Sequence, residues 1–233
     1  MTPAPQPDPS QPATEAGTLS ERAATLVEHD ILSGQLAPGA RLGIVDLVQR
    51  YDIGATPLRE GLSRLVSRGL IVGIGQRGFR VADVSREDLL DITCMRTAVE
   101  VEAIRLAITH GDDAWEAGIL SALHQMRRHI ERTGNEFREG AEDFDRLHKG
   151  FHTALLAACG SKRMLAAHSD LYDQAYRYRR VMMRHFDSGK KFVQEHQRLA
   201  DRVLARDIPG SQAMLEAHLR STLNFVYPPG KES

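Results

Sequence analysis

Apolar residues recur along this chain with two different rhythms. From Leu19 to Leu32, residues Ala23, Leu26, Val27 and Ile31 keep the spacing of a helix with one buried face, closed by Ser33-Gly34. APGARL then reads as a loop, and Ile44 to Tyr51 as a short helix through Val45, Leu47 and Val48. A third helix starts near Thr56, whose side chain can cap free N–H groups, with Pro57 suited to the first helical position. Leu58, Leu62, Leu65 and Val66 give its apolar stripe, and Gly69 ends it. The rhythm then shortens. Leu70 to Gly73 and Phe79 to Val81 read as two strands joined by a tight connection that Gly75 and Gly78 permit. A helix-turn-helix pair followed by a β-hairpin wing is predicted.

Ser85 can cap the next helix, with Glu87 and Asp88 in a first turn where the helix dipole favours acids. From there to Tyr227 the periodicity is almost entirely helical. Breakers at Gly111, Thr133-Gly134, Gly160, Gly189 and Pro209-Gly210 separate helices over 85–110, 112–132, 136–159, 161–186, 189–206 and 208–226. The expected fold is mainly α: a winged helix-turn-helix over 18–84, three helices plus a hairpin wing, then an all-α bundle over 85–228. Residues 1–17 hold five prolines among small polar residues and read as a disordered arm.

Composition agrees with this division. A chain of 233 residues, 42% hydrophobic, suits two domains with real cores. No run of about eighteen apolar residues exists and no secretory pattern opens the chain, so no membrane partner is expected. The two cysteines, Cys94 and Cys159, lie far apart in apolar helical contexts and read as reduced core thiols of a cytoplasmic protein.

The net charge of −1 hides an uneven distribution. Between Gly54 and Arg80 stand Arg59, Arg64, Arg68, Arg77 and Arg80 against the single acid Glu60. Arginines on a helix are often only a solvated face, but on a helix followed by a wing they suit a module that sits on the phosphates of double-stranded DNA. The third helix would enter the major groove, with Thr56, Pro57, Arg59 and Arg64 facing the duplex and Arg77, Gly78 and Arg80 on the wing.

Four of the ten histidines stand out in the bundle. His148 and His152, four apart, share a helix face with Phe144, Phe151 and Leu155. His196 lies with Phe192, Leu199 and Val203, and His218 with Met214, Leu215 and Phe225. A histidine on an apolar stripe is commonly a hydrogen-bonded core residue, but imidazoles from three helices can also hold a divalent ion, Zn²⁺, Ni²⁺ or similar, with zinc favoured. Arg96, among Ile92, Val99 and Ala103, faces inward either as a fixed cation or paired with Glu100 or Glu102. Tyr178 and Arg179 share a face with Leu171, Ala175 and Met182, while Arg177 aligns outward with Asp170 and Asp173.

The run ATPLREGLSRLVSRGL with QRGFRV resembles the winged helix-turn-helix of the GntR family of bacterial transcription regulators, matching at Thr56, Pro57, Leu58, Arg59, Glu60, Leu62, Arg64, Leu65, Gly69, Leu70, Gly78 and Val81. Gly54-Ala55 stands where many members carry Ser-Arg. The remainder resembles the FCD domain of FadR-type members. Phe151-His152, Glu195-His196 and His218 take the places of its ligand motifs, and His148 that of its usual Asp. Imidazole for carboxylate removes a negative charge, which favours an anionic effector and disfavours hard metals; Asp145 is a possible substitute ligand or supporting partner. The resemblance, strongest to the CsiR-like branch, implies a homodimeric repressor of operator DNA. Its release would come from a small carboxylate such as glutarate or 2-hydroxyglutarate bound near the metal, with Arg96, and less directly Tyr178 and Arg179, as contacts.

Two other functions fit the same residues: a metal-dependent enzyme acting on a small carboxylate, and a DNA-binding protein whose metal is purely structural. Against catalysis, His-x-x-x-His carries Lys149-Gly150 where a metalloprotease places its general base, and no Ser-His-Asp set or glycine-rich phosphate loop is evident.

Overall fold

The structure is a computed structural model that describes residues 17–75, 78–134, 141–182 and 189–228. All but Gly17 of the proposed N-terminal arm, the wing residue Arg77, and the expected helical stretches 136–140 and 183–186 lie outside the described residues.

Helix α1 (Leu19–Leu32) opens with a capping box: Thr18 accepts from Glu21 N while the Glu21 carboxylate accepts from Thr18 N. The loop expected at APGARL contains a short strand, β1 (Arg41–Leu42), and α2 (Ile44–Tyr51) follows it. Helix α3 (Ala55–Ser67) starts one residue before Thr56, and its cap position is Gly54 with no side-chain cap. Thr56 is therefore the second helical residue and Pro57 the third, still within the turn whose N–H groups have no helical partner. The end of α3 follows the expected chemistry. Gly69 takes a left-handed φ of 69°, and Leu70 N returns to Leu65 O at 3.1 Å.

Strands β2 (Ile71–Gly73) and β3 (Phe79–Val81) form the hairpin, but β1 also joins, giving a three-stranded antiparallel sheet in the order β1-β3-β2. A two-residue strand carries too little alternation to be seen in sequence, which is why β1 was missed. Arg41 pairs with Arg80 across it.

The N-terminal core is apolar: Ala23, Val27 and Ile31 of α1 meet Leu47, Leu58, Leu62, Leu65, Leu70, Ile71 and Val81. Helices α1 and α3 approach closely at Gly61, where an added Cβ would lie 2.8 Å from Ala24 N and Ser20 O.

The C-terminal part is all helical among the described residues: α4 (Arg86–His110), α5 (Asp113–Thr133), α6 (Glu142–Leu156) with a 3-10 turn at Ala157–Cys159, α7 (Lys162–Met182), α8 (Gly189–Leu204) and α9 (Ile208–Val226). Ser85 and Asp112 accept from backbone N–H groups at the starts of α4 and α5, as the sequence suggests for Ser85. Trp115, Ile119, Met126, Phe144, Phe151, Leu155, Leu199 and Leu215 form the main core. Cys159 is buried there, but Cys94 is exposed on α4, contrary to the expectation of two core thiols. No described helix is long and apolar enough to cross a membrane.

Candidate metal centre and DNA-reading head

His148 and His152 come from consecutive turns of α6, His196 from α8 and His218 from α9, and one ligand-capable atom of each lies within 4.8 Å of all the others. The first three are buried and His218 is half-buried. The convergence has a simple origin. Each imidazole occupies an apolar-stripe position, so the packing that buries Phe144, Phe151, Phe192, Leu199 and Leu215 also turns the rings inward.

Hydrogen bonds behind the rings fix which nitrogen carries the proton. His196 Nδ1 lies 2.8 Å from Phe192 O, a carbonyl that can only accept, so Nδ1 donates and Nε2 is left with its lone pair. Tyr172 donates its hydroxyl to Asp145 Oδ1 at 3.0 Å, so His148 Nδ1, 3.1 Å from the same hydroxyl, donates in turn. Two Nε2 lone pairs thus face each other at 2.9 Å, with His152 Nε2 3.0 Å from His148 Nε2. Acceptors this close repel unless a proton or a cation sits among them.

A proton is disfavoured. Burial, then the neighbouring imidazoles and Arg179 and Arg96, hold His148, His152 and His218 well below the ordinary histidine range, and burial pushes His196 down to about 4. Neutral imidazoles aimed at one point, two of them oriented from behind, are a donor set for a borderline divalent metal. His152 Nδ1 has no partner among the described residues.

Asp145 is not one of the converging donors. It stands behind Tyr172, 3.4 Å from Arg179, with its carboxyl pushed up to about 6 by burial against the opposing pull of Arg179.

The other end of the molecule presents a different chemistry. Thr56, Arg59 and Arg64 are exposed on α3 and Pro57 is half-buried. Arg64 meets Glu21 at 3.2 Å, an exposed pair that phosphates can displace. Gly78 and Arg80 are half-buried on the wing, Arg80 lying 3.1 Å from Asp83. Arg41, exposed on β1 beside Arg80, adds a further cation to this face. Arg68 does not face outward with the others. It binds Glu28 of α1 at 2.6 Å and reaches Asp170 and Asp173 of α7 at 2.7 and 2.8 Å, tying the end of α3 to the helical part.

Residues 19–81 match the model of the bacterial regulatory proteins of the gntR family, and residues 91–221 match the FCD domain. The chain belongs to the GntR family. It is 35% identical over 215 residues to the HTH-type transcriptional regulator BphR of Paraburkholderia xenovorans, covering 92% of this chain and 88% of that one. It is 34% identical over 204 residues to the HTH-type transcriptional repressor GlaR of Escherichia coli, covering 86% and 92%. Its fold is shared with Escherichia coli McbR/YncC, at TM-score 0.74 and 21% identity over 91% of this chain and 98% of that one. These relatives are transcription regulators, so the enzyme alternative is set aside and the GntR/FCD chain is a DNA-binding regulator.

Arg96 of the regulator is buried and paired: its Nε reaches Glu100 Oε1 at 2.7 Å, and His168 Nδ1 lies 3.1 Å from the same oxygen. Burial alone would raise the Glu100 carboxyl, but the Arg96 charge and the His168 contact outweigh it and hold the group ionised. His168, which also meets Thr153 at 3.2 Å, escaped the sequence reading because its partner Glu100 lies on a distant helix.

Arg179 and Arg96 both lie over the Tyr172 ring, at 4.5 and 5.4 Å, so these two sensor candidates are brought together beside the histidines. Tyr178 is not brought there. Its hydroxyl donates to Asp88 at 2.6 Å and accepts from Ser85 N at 3.0 Å, at the junction between the two parts. Arg177, expected outside, is buried at the same junction and donates to Ala82 O at 3.0 Å. A cleft of about 240 Å³ between α8 and α9, lined by Glu195, Arg198, Met214 and His218, leads from solvent to the half-buried edge of the cluster.

Proposed function

We propose that the regulator is a homodimeric repressor that reads operator DNA with α3 and its wing and senses a small carboxylate at a divalent metal, zinc in first place and nickel or a similar ion in second. The observation that carries this reading is the pair of fixed Nε2 lone pairs of buried His148 and His196, 2.9 Å apart. His148, His152, His196 and His218 would hold the ion, whose chemistry is to offer a Lewis-acidic position to a carboxylate oxygen. The cleft beside His218 supplies an entry, and Arg96 and Arg179 supply fixed positive charge for an anion. A short dicarboxylate such as glutarate or 2-hydroxyglutarate would set one carboxylate on the ion and leave the other for an arginine. The two parts correspond to domains over 18–84 and 85–228, in a protein acting on cytoplasmic DNA.

Helix α7 supports a route from sensor to head. Tyr172 orients His148, while its neighbour Asp173 binds Lys149 at 2.6 Å and Arg68 at the end of α3 at 2.8 Å. Further along, Arg177 and Tyr178 hold Ala82 and Ser85 of the connecting segment. An anion that shifts Tyr172 or Arg179 by differential contact would therefore bias the placement of α3.

The test is retardation of operator DNA, selected from random fragments, by metal-loaded protein with and without candidate dicarboxylates. Release by one acid in the loaded protein, lost in His152→Ala/His196→Ala, is expected. If the acid has no effect while the ion stays bound, the metal is structural and the sensing half of the proposal fails.

A further inference from the structure

A line of polar side chains that the metal centre does not use runs from the surface of α6 to the sensor. It starts at Thr153, an exposed residue next to His152. Thr153 Oγ1 meets His168 Nε2 of α7 at 3.2 Å, and His168 Nδ1 lies 3.1 Å from Glu100 Oε1 of α4. Glu100 then takes Arg96 through Nε at 2.7 Å and Nη2 at 3.4 Å. His168 and Glu100 are fully buried and Arg96 is nearly so.

The chemistry of the partners gives this line a direction. Glu100 is ionised and offers only lone pairs, so a proton belongs on the facing Nδ1 of His168. The neutral ring then keeps its lone pair on Nε2, and Thr153 donates to it. Thr153 thus selects the tautomer that His168 needs to face Glu100, and Glu100 fixes the Nε edge of Arg96. The Nη1 end of the guanidinium is left for something else. It stands in the right place for an anion at the metal: Arg96 and Arg179 share the Tyr172 ring, whose hydroxyl lies 3.1 Å from His148 Nδ1.

A buried ion pair adds little to stability that an apolar pair of the same volume would not. What it supplies here is order. An arginine has a long, rotamer-rich stem, and freezing it before an anion arrives removes that loss from the binding step. Glu100 also cancels the general attraction of Arg96 for anions, so a carboxylate gains only where it can reach the Nη1 end. We infer that Thr153, His168 and Glu100 are positioning residues of the sensor, holding Arg96 where it takes the second carboxylate of a dicarboxylate whose first lies on the metal. This rests on the sensing role of the proposed function and deepens it. The line would decide between dicarboxylates and monocarboxylates, because a monocarboxylate on the metal has nothing for Arg96 to hold.

Calorimetric titration of zinc-loaded protein with glutarate and with butyrate tests the inference. The native chain should bind glutarate more tightly. Thr153 is exposed, so Thr153→Val should fold normally while removing one hydrogen bond. Its glutarate affinity should fall ~2–10-fold, with butyrate affinity and zinc content by elemental analysis unchanged. Thr153→Ser keeps the hydroxyl and should restore the native value. Native glutarate affinity in Thr153→Val makes the line purely structural and overturns the inference while the sensor stands. An equal loss for glutarate and butyrate places the effect at the neighbouring ligand His152 and overturns it too. A native chain that binds both acids alike, or neither, overturns this inference together with the dicarboxylate reading.

Discussion

The two cores of this regulator are made of different material. The head is held by aliphatic side chains, with Asp30 the one acid buried there among the described residues, and that acid is met by Tyr51 and Arg50 at 2.7 and 2.6 Å. The helical part buries Arg96, Glu100, Asp145, His148, His152, His168, Asp173, Arg177, Arg179 and His196 as well as its apolar core. A core of the first kind tolerates many sequences of the right volume, but a core of the second kind works only if every polar group finds its partner. The head therefore presents its arginines from a core with little charge to unbalance, and the helical part depends on charge and protonation.

Removing one member of the buried polar set should produce the largest effect. Arg96→Ala strands the Glu100 carboxylate with only His168 beside it, and the loss of unfolding free energy in denaturant titration should be about 3–5 kcal/mol. In the head the matching insult is Leu62→Ala, which leaves a cavity in an apolar core and should cost about 2–5 kcal/mol without altering metal content measured by elemental analysis.

Acidification should separate the cores next. The four imidazoles are harder to protonate in the folded chain than in the unfolded one, so the unfolded state binds more protons below the ordinary histidine pKa. Their contribution is complete above about pH 6.5 and is lost as pH falls toward about 4, where His196 titrates. Asp145, pushed up to about 6, acts in the opposite sense: it stabilises most below its ordinary range, and that contribution disappears as pH rises through about 6. Four groups outweigh one. Thermal melts of metal-free protein should show a falling Tm between pH 6.5 and 4 that a His152→Phe/His196→Phe variant reduces; an unchanged pH slope in that variant would count against the assignment.

The smallest change in stability belongs to the DNA face. Arg59→Ala should leave the melting curve within about 0.5 kcal/mol, because the side chain is exposed, yet weaken operator binding by about 1–3 kcal/mol in a retardation assay. Undiminished retardation would move the groove contact elsewhere.

The same contrast explains what could be read from the chain. The head was legible because its information is local: the stripe Leu58-Leu62-Leu65, the stop at Gly69 and the alternation through Phe79 and Val81 are each visible within a few residues. What escaped there was β1, only two residues long, and the role of Arg68, whose three acids come from two other helices. In the helical part the histidine set was legible because each ring lies on an apolar stripe. The tautomer of His148 was not, since it depends on Tyr172 from another helix. Helical spacing placed Tyr178 with Arg179 on one face, but adjacent residues on a helix diverge by about 100°, and the chain uses one at the junction and the other beside the histidines.

X-ray absorption at the zinc edge, on protein expressed with zinc and purified without chelator, tests the central claim most directly. One ion per chain is expected, with imidazole nitrogens at ~2.0–2.1 Å and the signal lost in His152→Ala/His196→Ala. A chain that binds no ion, or one whose ion has sulfur neighbours or survives the double substitution, would contradict it.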